Sequence, residues 1–234
     1  MGEKLFSVLL DPDKYPEKEI PAVTERCEEA KVDILLIGGS LLLHKQLDNF
    51  VRYVKESTQL PVLLFPAGPQ QISYYADGIL FLSLISGRNP DLLIGRHVEA
   101  APLLKGSSLE VIPTGYMLIG SENESTARYM SDTIPIPGEK NDIAMSTALA
   151  GQMLGLRMIY LDAGSGAKMP VSEKMLARVK QNITIPLLVG GGIRDAATAG
   201  ALAKAGADMI VVGNILETKP ELVQDISKAI HGRK

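Results

Sequence analysis

Tyr160-Leu161-Asp162-Ala163-Gly164-Ser165-Gly166, with Gly190-Gly191-Gly192-Ile193 and Gly213-Asn214 beyond it, are the stretches that decide the fold. Each closes a short apolar run: Met158 to Leu161, Ile185 to Val189 and Met209 to Val212. A run that is apolar at every position reads as a strand covered on both faces, and so as part of a parallel sheet. Five more runs lie upstream: Leu5 to Leu10, Asp33 to Ile37, Val62 to Phe65, Gly78 to Leu82 and Leu109 to Ile112. Between them, Lys18 to Ala30 and Leu41 to Glu56 place apolar residues at helical spacing, as do Asp91 to Leu104, Asp142 to Leu154, Ser172 to Lys180, Asp195 to Ala205 and Pro220 to His231. Strand then helix repeats throughout, which predicts a closed (β/α)8 barrel over residues 1–234 as a single domain, with an open doubly wound sheet as the alternative.

Two intervals depart from the repeat. Pro66 to Asp77 is short and broken by Pro66, Gly68 and Pro69, so the third helix is expected to shrink to a loop or a single turn. Gly115 to Lys140 is long and polar, and is expected to leave the fifth strand as a loop, helical in part over Asn123 to Met130, that covers the barrel mouth. Ser172, Asp195 and Thr218 are the expected helix N-caps.

A net charge of −3, from 24 basic and 27 acidic residues, argues against nucleic acid as a partner, because backbone binding needs a concentrated basic face. The lone Cys27 lies in the charged helical pattern Thr24 to Glu29 and is expected to be structural. No apolar stretch approaches the roughly 20 residues that span a bilayer, and the N-terminus lacks a signal-peptide pattern, so a cytoplasmic protein is expected.

In a barrel of this kind the chemistry sits just past the strand ends. After the first strand come Asp11-Pro12-Asp13-Lys14, whose carboxylates suit Mg²⁺, a cation that takes oxygen ligands and shares them with substrate phosphates; the plain alternative is a solvated Asp-Pro turn. Gly38-Gly39-Ser40 follows the second strand, with Ser40 either a metal ligand or a helix cap. Asp77 and His97 read as structural, while Arg88 reads equally as a second anion contact or a surface arginine. Tyr160 and Asp162, two apart on one strand, share a face; Asp162 is either a base that orients an alcohol or a turn acceptor. Three Gly-rich strand ends in series can converge backbone amides on one phosphate.

These motifs together resemble the geranylgeranylglyceryl phosphate synthase family, which includes the bacterial heptaprenylglyceryl phosphate synthases. The similarity runs over essentially the whole chain through Asp11 to Lys14, Gly38 to Ser40, Tyr160 to Gly166, Gly190 to Ile193 and Gly213-Asn214. It implies a TIM barrel modified by replacement of helix 3 with a loop. It also implies transfer of a prenyl group, geranylgeranyl foremost, from its diphosphate to the 3-hydroxyl of sn-glycerol 1-phosphate, with Mg²⁺ on the diphosphate. By motif, Asp11 and Ser40 would bind metal. Tyr160, Leu161, Asp162, Ala163, Gly164, Ser165, Gly166, Gly191, Gly192, Gly213 and Asn214 would hold glycerol phosphate, and Asp162 and Asp11 would be catalytic. Asp162 stands where the family usually has Glu, one methylene longer. The segment Val8-Leu9-Leu10, without a lysine two residues before Asp11, is more similar to the archaeal and Bacteroidetes-type branch, commonly hexameric, than to the dimeric heptaprenyl branch. A homo-oligomer, with transient contact to a membrane surface, is expected. Two other classes fit the phosphate motifs alone: a sugar-phosphate isomerase, epimerase or lyase, and a noncatalytic phosphate- or flavin-binding module.

Overall fold

The computed structural model describes residues 3–39, 41–42, 47–120 and 126–232. Eight parallel strands form the barrel: β1 (Leu5–Leu10), β2 (Ile34–Ile37), β3 (Val62–Leu64), β4 (Gly78–Leu84), β5 (Glu110–Gly120), β7 (Met158–Asp162), β8 (Leu187–Gly190) and β9 (Met209–Val212). Their order, β4-β3-β2-β1-β9-β8-β7-β5, is closed by seven residue pairs between β4 and β5, from Gly78 with Glu110 to Leu84 with Tyr116. The closed barrel therefore holds, and the open sheet does not. A two-residue β6 (Ile136–Pro137) pairs with the far end of β5.

Closure explains why the strand runs are apolar at every position. Leu36, Leu80, Ile112, Tyr160, Leu188, Met209 and Val211 fill the barrel interior. Their strand neighbours Leu35, Ile37, Leu161, Val189, Ile210 and Val212 pack instead with the helices, against residues such as Ile20, Phe50, Leu176 and Ile226. Alternate side chains thus go to two different cores, and both faces are largely covered.

The shell comprises α1 (Ile20–Glu29), α2 (Leu47–Ser57), α3 (Arg96–Lys105), α4 (Thr126–Ser131), α5 (Asn141–Met153), α6 (Glu173–Lys180), α7 (Ala196–Ala205), α8 (Asn214–Thr218) and α9 (Leu222–His231). No helix lies among residues 65–77, between β3 and β4, as the proline and glycine spacing there requires. Ser172 caps α6 by accepting from the Met175 amide at 3.3 Å, and Asp195 caps α7 by accepting from the Thr198 amide at 2.7 Å.

Three expectations change. Thr218 is not a cap: it ends the extra helix α8, and Glu221 occupies the N-cap of α9. The fifth strand does not stop at Ile112 but runs to Gly120, so the first residues of the supposed mouth loop are barrel wall. Leu41 and Leu42 are not helical; the second helix is described over Leu47–Ser57, and residues 43–46 lie outside the described residues. Ser40 lies outside the described residues, as does part of the Asn123 to Met130 segment.

Polar clasps gather at the N-terminal end of the barrel. Asp33 accepts from the Phe6 amide at 2.7 Å and from His231 at 2.9 Å, which ties α9 to β1 and β2. Asp77 accepts from the Val62 amide at 2.7 Å and pairs with Lys55, a structural role as expected from its place before β4.

Candidate active site

The C-terminal strand ends form the mouth, and β7 supplies its centre. Tyr160 and Asp162 point inward from β7, both buried, with Asp162 only 7% exposed. The longer β5 brings a third group opposite them: Tyr116 is in register with Tyr160, and its hydroxyl donates to Asp162 Oδ2 at 2.6 Å. The Gly164 amide donates to Asp162 Oδ1 at 2.7 Å. Burial pushes the Asp162 carboxyl up, opposed by these two bonds, and burial together with the Asp162 charge holds Tyr116 and Tyr160 well above the ordinary phenol range. Phe65, at the exit of β3, stacks on Tyr160 at 5.2 Å and meets Tyr116 edge-on at 5.8 Å, while the two tyrosines pack edge-on at 5.6 Å. Contacts of this kind fix ring positions.

The three glycine-bearing loops do converge. Ala163 donates its amide to Gly190, and a Cβ built on Gly191 would lie 2.7 Å from both Asp162 Oδ1 and the Gly164 nitrogen. Gly191 and Gly192 also have φ of +80° and +70°, the left-handed region that glycine enters without strain. Ser165 donates to Asn214 Oδ1 at 3.2 Å, joining the β7 loop to the start of α8. Among the described residues, the amides of Ser165, Gly166 and Gly192 donate to no protein acceptor, so they are available to an anion. Gly213 packs against Leu9, which brings the β9 exit beside β1. Leu161 differs from the rest of its motif, since its side chain faces the helices and leaves only its backbone near the mouth.

Asp11 ends β1 on the adjoining side of the mouth. Its Oδ1 accepts from the Asp13 amide at 3.0 Å, and its carboxylate lies against Gly39 at the exit of β2. Burial pushes the Asp11 carboxyl up, opposed by the Asp13 amide, with Asp13 and Lys14 adding smaller opposing charges. Glu217, one turn into α8, is raised by burial and by the charge of Asp11, so α8 links the glycine-bearing loops to the Asp11 side. Among the described residues no three His, Cys, Asp or Glu side chains group as a metal cage. One half-buried carboxylate at an open mouth fits Mg²⁺ that draws most of its ligands from phosphate and water.

Arg88 donates to the Gly87 carbonyl at 2.7 Å and so braces its own loop. His97 is buried in α3 with Nε2 3.0 Å from Ser83 Oγ, in keeping with a structural reading. Sequence reasoning missed Phe65, Tyr116 and Glu217 as site residues. The usable signal for Tyr116 was the apolar run Met117-Leu118-Ile119 immediately after it, which continues the strand.

The profile of the PcrB family matches residues 1–231. A geranylgeranylglyceryl phosphate synthase of Chitinophaga pinensis is 50% identical over 230 residues, covering 98% of this chain and 91% of that protein. One from Pyrococcus furiosus is 44% identical, covering 92% and 86%. The crystal structure of (S)-3-O-geranylgeranylglyceryl phosphate synthase from Thermoplasma acidophilum, in complex with sn-glycerol-1-phosphate, superposes with a TM-score of 0.93 at 36% identity, covering 99% of this chain and 94% of that one.

Proposed function

This chain belongs to the PcrB family, and on that premise we propose that it transfers a prenyl group, geranylgeranyl foremost, from its diphosphate to the 3-hydroxyl of sn-glycerol 1-phosphate, releasing diphosphate in ether lipid synthesis. The observation that carries this reading is the convergence of three glycine-bearing strand ends beside a buried carboxylate, in a chain so similar to a synthase solved with that acceptor.

Each half of the site has its own task. Within the segment Tyr160 to Gly166 and beside Gly191, Gly213 and Asn214, the amides of Ser165, Gly166 and Gly192, which donate to no protein acceptor, hold the acceptor phosphate; the positive end of the backbone dipoles favours the anion. That anchorage sets the 3-hydroxyl at the Tyr116–Asp162 pair, with Asp162 as the base that ends with its proton. A carboxylate raised by burial is better matched to taking a proton near neutral pH than a solvated one. Asp11, together with Ser40, would hold Mg²⁺, and a cation there would supply positive charge to offset the charge that builds on departing diphosphate. Because an allylic carbon parts readily from its leaving group, holding the chosen hydroxyl in line supplies much of the acceleration.

The protein works in the cytoplasm as a homo-oligomer, a hexamer before a dimer, and touches the membrane surface transiently to collect its lipid donor. No helix among the described residues is long and apolar enough to cross a membrane. Calorimetric titration with sn-glycerol 1-phosphate tests the acceptor site: saturable binding that outcompetes the sn-3 enantiomer is expected. Equal affinity for inorganic phosphate and both enantiomers would contradict it.

A further inference from the structure

We propose that Tyr116 carries the proton between the attacking hydroxyl and Asp162, so that the acceptor meets the phenol and not the carboxylate. This rests on the prenyl transfer proposed above. The carboxylate is shut in from both sides. The Gly164 amide occupies Oδ1, and Gly191 presses on the same atom so closely that an added Cβ would lie 2.7 Å from it. The Tyr116 hydroxyl covers Oδ2 at 2.6 Å. Asp162 is buried, whereas Tyr116 keeps part of its surface open. With both carboxylate oxygens taken, the Tyr116 oxygen is the acceptor through which a hydroxyl at the mouth passes its proton to Asp162.

The chemistry of a phenol suits that position. Its single hydrogen is committed to Asp162, and its oxygen retains lone pairs that accept from an alcohol. Tyr160 cannot do the same: its hydroxyl packs against Gly190, where an added Cβ would lie 2.2 Å away, and the residue is 2% exposed. In the step itself, the acceptor oxygen bonds to C1 of the prenyl donor as the bond from C1 to the diphosphate oxygen breaks, and the electron pair leaves with diphosphate. The acceptor proton passes to Tyr116 Oη while the Tyr116 proton passes to Asp162 Oδ2. Asp162 ends protonated and Tyr116 neutral. No phenolate forms, in keeping with burial and the Asp162 charge, which both disfavour one.

Tyr116→Phe removes the hydroxyl and keeps the ring that Phe65 and Tyr160 pack against. Single-turnover rates and the affinity for sn-glycerol 1-phosphate are measured together across pH, with the melting temperature as a check on folding. The relay predicts a fall in the single-turnover rate of about a hundredfold or more, with acceptor affinity little changed. The acidic limb of the residual pH profile should move to higher pH, because the Tyr116 bond lowers the Asp162 pKa and is lost. Asp162→Glu placed in the Tyr116→Phe background lengthens the carboxylate and should recover rate, a rescue that a merely structural tyrosine would not permit. A folded Tyr116→Phe protein that turns over at the wild-type rate, or that loses affinity alone, overturns the relay and leaves prenyl transfer standing. A wild-type protein that forms no prenyl product overturns both.

Discussion

Asp162 carries its charge where charges are costly, enclosed between a tyrosine hydroxyl, a backbone amide and a glycine. Its native pKa lies above the ordinary 3.8, because burial outweighs the two hydrogen bonds. The native state then binds this proton more tightly than the unfolded chain does, so the stability it contributes is full below 3.8 and is lost as pH rises through the native value. The melting temperature of the wild type relative to Asp162→Asn should accordingly fall as pH is raised above 3.8, as read by calorimetric scans at matched pH. A difference that rises over that window would mean that Asp162 is stabilised as the anion. The same variant should lose turnover by about a hundredfold or more. Asp11→Asn should cost turnover on a similar scale while leaving the fold intact, and saturating Mg²⁺ should not restore it. Near-normal activity would remove Asp11 from the mechanism.

Loops and helix ends make the next scale. Gly191→Ala would force a Cβ to 2.7 Å from Asp162 Oδ1 at a φ of +80°. Backbone strain of about 1–3 kcal/mol is expected, with loss of acceptor affinity in titration calorimetry. Ser172→Ala removes the cap bond of α6 and should cost about 1 kcal/mol in denaturant unfolding without changing turnover. Elements of this kind were legible in the sequence where local chemistry alone decides them: Ser172 and Asp195 sit one residue ahead of amphipathic runs, and prolines exclude a helix from 65–77. Thr218 misled because it also precedes a helical run, yet Asn214 has already started a short helix that Thr218 ends. The β5 boundary failed for a related reason. Pro113, Thr114 and Gly115 resemble a strand end, but pairing with β4 on one side and β7 on the other carries the chain through them. That pairing belongs to the tertiary structure, so local sequence puts Tyr116 in a loop although it belongs to the wall. Asp162 was legible from its two-residue spacing to Tyr160, whereas the partners that enclose it come from distant strands.

For the whole molecule, closure of the barrel turns separate motifs into one mouth. β9 lies between β8 and β1, so Gly213 is placed beside Leu9, and α8 runs from Asn214, bonded to Ser165, to Glu217, which feels the charge of Asp11. In the reaction proposed above, an acceptor anchored over β7 to β9 and a diphosphate held near β1 and β2 would meet at Tyr116 and Asp162. The most direct measurement incubates the protein and Mg²⁺ with labelled sn-glycerol 1-phosphate and a series of prenyl diphosphates, and follows the label into an organic phase. Prenyl transfer predicts an extractable ether that requires both substrates, forms fastest with the geranylgeranyl donor and is lost in Asp162→Asn. Label that stays in water with every donor, under conditions where sn-glycerol 1-phosphate is bound, would contradict it.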